Sequence, residues 1–207
     1  MLEAAVRKNP GDYRARYDLA IFYAVRGDLE KAIREFQESL KLKPDSWEGH
    51  YNLGIAYYDQ GYTDQAITHY KEAVELKGDE ADIHFNLALA YVRARYFDLA
   101  VSEYQEALRL NPKNISAHNN LGNLYRFLNH PDLAIQEYEA ALKMDPNDVR
   151  ANYNLAITKD LMGMGQQVIP YYEAVVRLAS QSPDPNNQEF RYFSERAQQR
   201  LAKLKNP

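Results

Sequence analysis

The sequence predicts an all-α solenoid of antiparallel helix pairs, and three observations carry that prediction. Aromatic residues recur with a period of 34: Tyr23, Tyr57, Tyr91 and Tyr125 form one column, and Phe36, Tyr70, Tyr104, Tyr138 and Tyr172 a second. A fixed period of this size marks chains whose repeats bury their apolar faces against their neighbours. In the same register, Leu is followed by a small residue at Leu19-Ala20, Leu53-Gly54, Leu87-Ala88, Leu121-Gly122 and Leu155-Ala156. Small residues return at Ala32, Ala66, Ala100 and Ala134 and again at Ser39, Ala73, Ala107 and Ala141, so that two helices can approach closely while Leu and Tyr fill the space around them.

Taken in order, residues 1–12 read as the closing part of an earlier second helix, with Ala5 at the last small position and Pro10 at the stop. Such a half repeat implies either an excised fragment or an exposed apolar edge that takes a partner. Units of 34 residues then start at Tyr13, Trp47, Ala81, Ile115 and Val149, giving repeats 13–46, 47–80, 81–114, 115–148 and 149–182. Each is expected to be a helix A, a short turn and a helix B. Gly27 and Gly61 break the chain between the two helices, and Pro44, Pro112 and Pro146 stop helix B. The fifth unit is degenerate: Lys159 replaces the Tyr, Val168 replaces the Ala, and Ser180 stands in place of Pro. Its turn, residues 162–165, is looser, and Pro170 belongs in the first turn of helix B. After a linker over residues 182–187, a last helix over 188–205 turns Phe193, Ala197, Leu201 and Leu204 inward and Arg and Gln outward, as a solenoid cap would.

These columns resemble the tetratricopeptide repeat family, whose pattern places aromatic, Leu-Gly, Tyr, Ala, aromatic, Ala and Pro at the same offsets. The resemblance covers residues 13 to 182 and implies a right-handed superhelical stack with a concave groove that receives peptides.

Composition narrows the function. A net charge of -4 over 207 residues argues against a nucleic-acid binder, which presents a basic face. No apolar run approaches the ~18 to 20 residues of a membrane span. The N-terminus lacks the charged-then-apolar order of a signal peptide, so a cytoplasmic location is the expectation. Cysteine is absent, which removes disulfides, thiolate metal sites and Cys nucleophiles. His50, His84 and His118 share one repeat position, but a whole repeat separates each pair, too far for one ion with bonds of ~2.0 to 2.1 Å, and they read as packing residues. No HExxH, GxSxG or phosphate-cradling loop is present. Neither an enzyme activity, a cofactor nor a metal is expected.

Binding residues are sought on the face that packing does not use. In helix A, positions 4, 7, 8 and 11 fall on one side, and positions 2, 5, 6, 9, 12 and 13 on the other. From that second face come the candidate site residues: Tyr17 and Ile21 in repeat one; Tyr51, Asn52, Ile55 and Tyr58 in repeat two; Phe85, Asn86, Leu89 and Arg93 in repeat three; Asn120, Asn123 and Arg126 in repeat four; Asn154 in repeat five. Two readings of the apolar stripe stand open, packing between neighbouring A helices and pockets for a partner's apolar side chains. Asn52, Asn86, Asn120 and Asn154 form a ladder at position 6. Amides offer a donor and an acceptor, so the ladder could hold an extended peptide backbone, and a similar ladder lines the repeat superhelix of the O-linked N-acetylglucosamine transferases; local bonding is the alternative. Acids dominate the early part of the face (Asp18, Glu48, Asp59, Asp82) and arginines the later part (Arg93, Arg126, Arg150), which could orient a ligand of opposed end charges. The carboxylate clamp of the family's chaperone-binding branch is matched only at Asn52, so an acidic chaperone tail is not the expected ligand.

The expectation is therefore a non-catalytic scaffold that binds an extended peptide or helix of a protein partner in the concave groove. A self-associating homo-oligomer joined through the N-terminal half repeat, and the targeting domain of a larger enzyme such as a glycosyltransferase, are the alternatives.

Overall fold

The computed structural model describes residues 2–182, 184 and 187–205. Of the expected linker, Pro183, Pro185 and Asn186 lie outside the described residues. The described chain is all-α, with no strand.

Short polar side chains open most of the A helices by accepting their first free amides. Asp12 accepts from Arg14 and Ala15 at the start of α2 (Tyr13–Val25), and Ser46 from Gly49 at the start of α4 (Trp47–Asp59). Asn114 serves α8 (Ile115–Phe127) and Asp148 serves α10 (Val149–Leu161) in the same way. Glu80, before α6 (Ala81–Ala94), makes no such bond. The B helices are α3 (Leu29–Leu42), α5 (Thr63–Leu76), α7 (Phe97–Leu110), α9 (Pro131–Met144) and α11 (Ile169–Ser180). A short helix α1 (Leu2–Lys8) precedes them and α12 (Gln188–Lys205) follows. A single 3-10 turn, Gly165–Val168, leads into α11, whose first turn holds Pro170.

The A-to-B turn has one geometry in all repeats. Its closing bond runs from the first amide after the turn to the last Tyr-column carbonyl: Asp28 to Tyr23, Tyr62 to Tyr57 and Tyr96 to Tyr91 at 2.9 Å, His130 to Tyr125 at 2.8 Å and Met164 to Lys159 at 3.1 Å. That closure requires a left-handed residue one step earlier. Gly27, Gly61 and Gly163 supply it with φ of 78°, 85° and 76°, but repeats three and four place Arg95 (66°) and Asn129 (62°) there. A Cβ in that region costs roughly 1–2 kcal/mol, less for Asn.

The chain divides into two compact units, Met1–Asn111 and Pro112–Pro207. In the first, Ala20, Ala32, Phe36, Leu40, Leu53 and Ala56 form a buried cluster on which Tyr17, Ile21 and Tyr57 rest. The second aromatic column is buried in every repeat, and in repeats two and four it lies against the glycine of helix A. At Gly54 a Cβ would lie 2.6 Å from the ring of Tyr70, and at Gly122 the same distance from that of Tyr138. In the second unit, Tyr153, Ala156, Val168, Tyr172 and Val175 join Ala197 of α12, and Phe193, Leu201 and Leu204 pack over them.

The histidine column proves to be polar rather than a packing column. Each position-4 side chain donates to the carbonyl six residues earlier, tying the preceding loop to helix A: Arg16 to Pro10 at 2.9 Å, His50 to Pro44 at 3.0 Å, His84 to Gly78 and Asn152 to Pro146 at 3.1 Å, and His118 to Pro112 at 3.2 Å. In repeats one, three and four its other nitrogen meets a carboxylate of helix B, Glu35 at 3.0 Å, Glu103 and Glu137 at 2.6 Å. Repeat two instead has His69 there, 3.1 Å from His50 Nδ1.

Candidate functional site

The expected site residues lie on the helices named above, and their surroundings differ. Those at position 5 rest on the second aromatic column. Tyr17 packs edge-on to Phe36 with ring centroids 5.7 Å apart, and Phe85 to Tyr104 at 5.9 Å. Tyr51 leans on Tyr70 at 6.1 Å. All three rings are half-buried on their own helix B, so packing accounts for much of the aromatic stripe.

The asparagines of the first unit are bound to those tyrosines. Asn52 Nδ2 donates to Tyr17 Oη and to its own helix carbonyl of Glu48, both at 2.9 Å. Asn86 Nδ2 donates to Tyr51 Oη at 2.7 Å and to the Asp82 carbonyl at 3.0 Å. Both amide hydrogens are thereby spent. What remains is the Oδ1 acceptor of each Asn and the hydroxyl hydrogen of each Tyr, one acceptor and one donor per pair of adjacent A helices. Burial raises the hydroxyl pKa of Tyr17 and of Tyr51, with the charges of Glu48 and Asp82 adding to the rise, so both keep that hydrogen at neutral pH.

Ile21, Ile55 and Leu89, half-buried, are the apolar residues on the same face one turn further along. Beyond them Arg93 and Tyr58 are brought together: the guanidinium stacks over the ring at 3.6 Å from its centroid and donates to the Tyr58 carbonyl. The acids Asp18, Glu48, Asp59 and Asp82 are exposed in this unit.

In the second unit the face is used differently. Asn123 Oδ1 accepts from Tyr138 Oη at 2.8 Å. Arg126 is half-buried and its Nε is sealed from solvent with no acceptor. Asn120 is half-buried, whereas Asn154 is 9% exposed. Helix α12 takes up the outer part of the α10 face. Glu189 holds Arg150 through contacts of 2.7 to 3.0 Å, Phe193 stacks on Tyr153 at 4.3 Å, and Arg200 grips both oxygens of Asp160 at 2.6 and 2.8 Å. The expected charge contrast is thus partly neutralised by the chain itself, since Arg150 has its own carboxylate. Asn119 was not among the expected site residues, yet it is buried beside this face and donates to the cap Asp148 at 3.0 Å. Its signal was present as the one polar residue in the aromatic column Tyr17, Tyr51, Phe85 and Tyr153.

Among the described residues no cluster of three or more His, Asp or Glu side chains is placed to hold a metal ion, and no helix is long and apolar enough to cross a membrane.

The family model described as TPR repeat matches residues 22–61, 56–94 and 97–126, and the model described as Tetratricopeptide repeat matches 115–148. A comparison with curated protein sequences finds no significant match. Among solved structures, MamA protein superposes with a TM-score of 0.77 at 25% identity, over 81% of this chain and 92% of that one. MamA from Desulfovibrio magneticus RS-1 gives 0.78 at 17% identity, over 83% and 97%. YrrB, a TPR protein with an unusual peptide-binding site, gives 0.76 at 18% identity, over 96% and 97%.

Proposed function

The chain belongs to the tetratricopeptide repeat family, and from that premise we propose that it is a non-catalytic interaction module that takes an extended segment of a partner protein along the A helices of residues 13–111. Proteins of this family bind protein partners and are generally scaffolds rather than enzymes. YrrB, similar in fold, has a peptide-binding site.

One observation carries the reading: Tyr17 with Asn52, and Tyr51 with Asn86, each present one free donor and one free acceptor, held rigid by the bond between them. A peptide group offers the complementary acceptor and donor, so each pair can bond a backbone amide whatever the side chain. Because the pairs are already ordered, binding does not have to freeze them. Ile21, Ile55 and Leu89 supply apolar contact beside the pairs, and the exposed acids favour a segment with basic residues.

Selection from a random dodecapeptide library against the whole chain tests this. Selected peptides should lose affinity on the order of tenfold or more for Ile55→Asp, a charge placed in the apolar strip, while its thermal midpoint stays near that of the parent. Selected peptides that bind Ile55→Asp equally well, or a selection that never rises above background, would sink the proposal.

A further inference from the structure

The spacing of the histidine column excludes an ion shared between repeats, but counting hydrogens within each repeat singles out repeat two. His84 and His118 set both ring nitrogens against a carbonyl and a carboxylate, groups that only accept. Those bonds are complete only with hydrogen on both nitrogens, so neither ring has a lone pair to give. Arg16 and Asn152 hold the same position in repeats one and five and have no ring nitrogen. His50 gives its Nε2 hydrogen to the Pro44 carbonyl at 3.0 Å, which leaves a lone pair on Nδ1. Facing that lone pair at 3.1 Å is Nδ1 of a second imidazole, His69, where the other repeats carry Glu35, Glu103 and Glu137.

Moving the His69 hydrogen from Nδ1 to Nε2 frees a second lone pair at the cost of one hydrogen bond, that between the two rings. Nitrogens 3.1 Å apart, each bonded at ~2.0 to 2.1 Å, meet at one ion with an angle of about 100°, between octahedral and tetrahedral values. The ion lies to one side of the line between the nitrogens, so both rings tilt toward it while the α4–α5 pairing stays as it is. Each ring is already oriented. His50 is held by the Pro44 carbonyl, as a metal-bound imidazole is held by an acceptor for its other nitrogen. His69 lies flat against Tyr57, with ring centroids 5.6 Å apart and planes 3° apart, and Gln37 Nε2 donates to the Tyr57 hydroxyl at 2.7 Å. Both histidines are half-buried rather than sealed, and the exposed Glu72, three residues on along α5, adds negative potential at His69.

We propose that His50 Nδ1 and His69 Nδ1 chelate one divalent late transition-metal ion, Zn²⁺, Ni²⁺ or Cu²⁺, across the helix pair of repeat two, with water completing its coordination. Imidazole suits these ions, whereas Mg²⁺ and Ca²⁺ take oxygen ligands. Position 4 is off the face assigned to a peptide, so the inference stands apart from that reading. An ion that ties α4 to α5 stabilises the folded chain by mass action.

The test titrates ZnCl2 into the isotopically labelled whole chain and follows the imidazole nitrogens by long-range proton–nitrogen correlation. The Nδ1 resonances of His50 and His69 should move together and saturate at one ion per chain, while His84 and His118 stay in place. MgCl2 should move none of them. His50→Asn, the residue type with which repeat five bonds the same loop carbonyl, and His69→Gln should each lower Zn²⁺ affinity about tenfold or more. Excess Zn²⁺ should raise the thermal midpoint of the parent and of neither variant. Because the paired shifts are read in the parent, a variant that unfolds leaves the test intact. Shifts confined to one of the two rings, equal affinity at the exposed His130, unchanged affinity in both variants, or no response to Zn²⁺ overturns the site.

Discussion

Tyr70 and Tyr138 are only 1% and 0% exposed, and the space that each ring fills is the space a side chain at Gly54 or Gly122 would need. In the other repeats the same register holds Ala20, Ala88 and Ala156, so this chain places either residue there. The short contacts are to ring carbons of Tyr70, not its hydroxyl. Gly54→Ala should therefore cost about 1–3 kcal/mol of stability in urea unfolding, and Tyr70→Phe added to it should not restore the loss. A neutral Gly54→Ala would mean that α4 and α5 can move apart freely. Residues of the candidate site obey the same logic of paired commitment: Asn52 and Asn86 have no hydrogen left to give, because the tyrosine of the preceding repeat has taken it.

At the scale of the element, α12 is the informative case. It buries only Ala197 completely, yet it is held to α10 by one stacked ring pair and two bidentate ion pairs, Glu189 with Arg150 and Arg200 with Asp160. The Arg150–Glu189 pair is exposed and contributes about 0–1 kcal/mol, and although Asp160 is part-buried under Arg200, the apolar stripe is expected to carry more of the docking. Phe193→Ala is expected to remove roughly 1–3 kcal/mol of it, with Phe193 only half-buried. Hydrogen exchange should show lost protection in α12 with α2 to α5 unchanged. If instead Arg200→Gln loosens α12 as much as Phe193→Ala, the electrostatic contacts dominate and this ranking is wrong.

Over the whole molecule the position-4 column makes stability depend on pH with two opposed signs. His50 Nε2 carries its hydrogen toward the Pro44 carbonyl, so its Nδ1 accepts from His69 Nδ1–H, and a proton taken up by His69 goes to Nε2, which keeps this bond but places a charge in a part-buried site beside His50. Burial, and then the neighbouring His50, lower the His69 pKa to about 4. Its folded value lies below the unfolded one, so its contribution is complete above the ordinary His pKa and is lost as pH falls from about 6.5 toward 4, at most roughly 3 kcal/mol. His84 runs the other way: the bond to Glu103 raises its pKa against burial. For His118 burial is the largest influence, but the bonds to Glu137 and the Pro112 carbonyl outweigh it and the pKa rises. Those two contribute fully below the ordinary His pKa and lose their share as pH climbs through their raised values. His69→Glu would give repeat two the arrangement of repeats three and four. Its thermal midpoint should fall less between pH 7 and pH 5 than the parent's, and an equal fall in both would show that the histidine pair is inert.

Periodicity was enough to reveal the fold class, because each repeat must bury the same columns and a 34-residue spacing of Tyr, Leu and Ala admits one kind of packing. The outward face of helix A was legible for the same reason: a residue that the repeat does not impose stands out against the period, as Tyr58 and Arg126 do beside Ala24, Val92 and Asp160. How those residues are spent was not legible. The Tyr17–Asn52 bond joins residues 35 apart in sequence, and the burial of the Arg126 Nε without an acceptor arises only in the folded chain. Hydrogen bonds are counted one hydrogen at a time in three dimensions, so tertiary structure alone decided which donors are left for a partner.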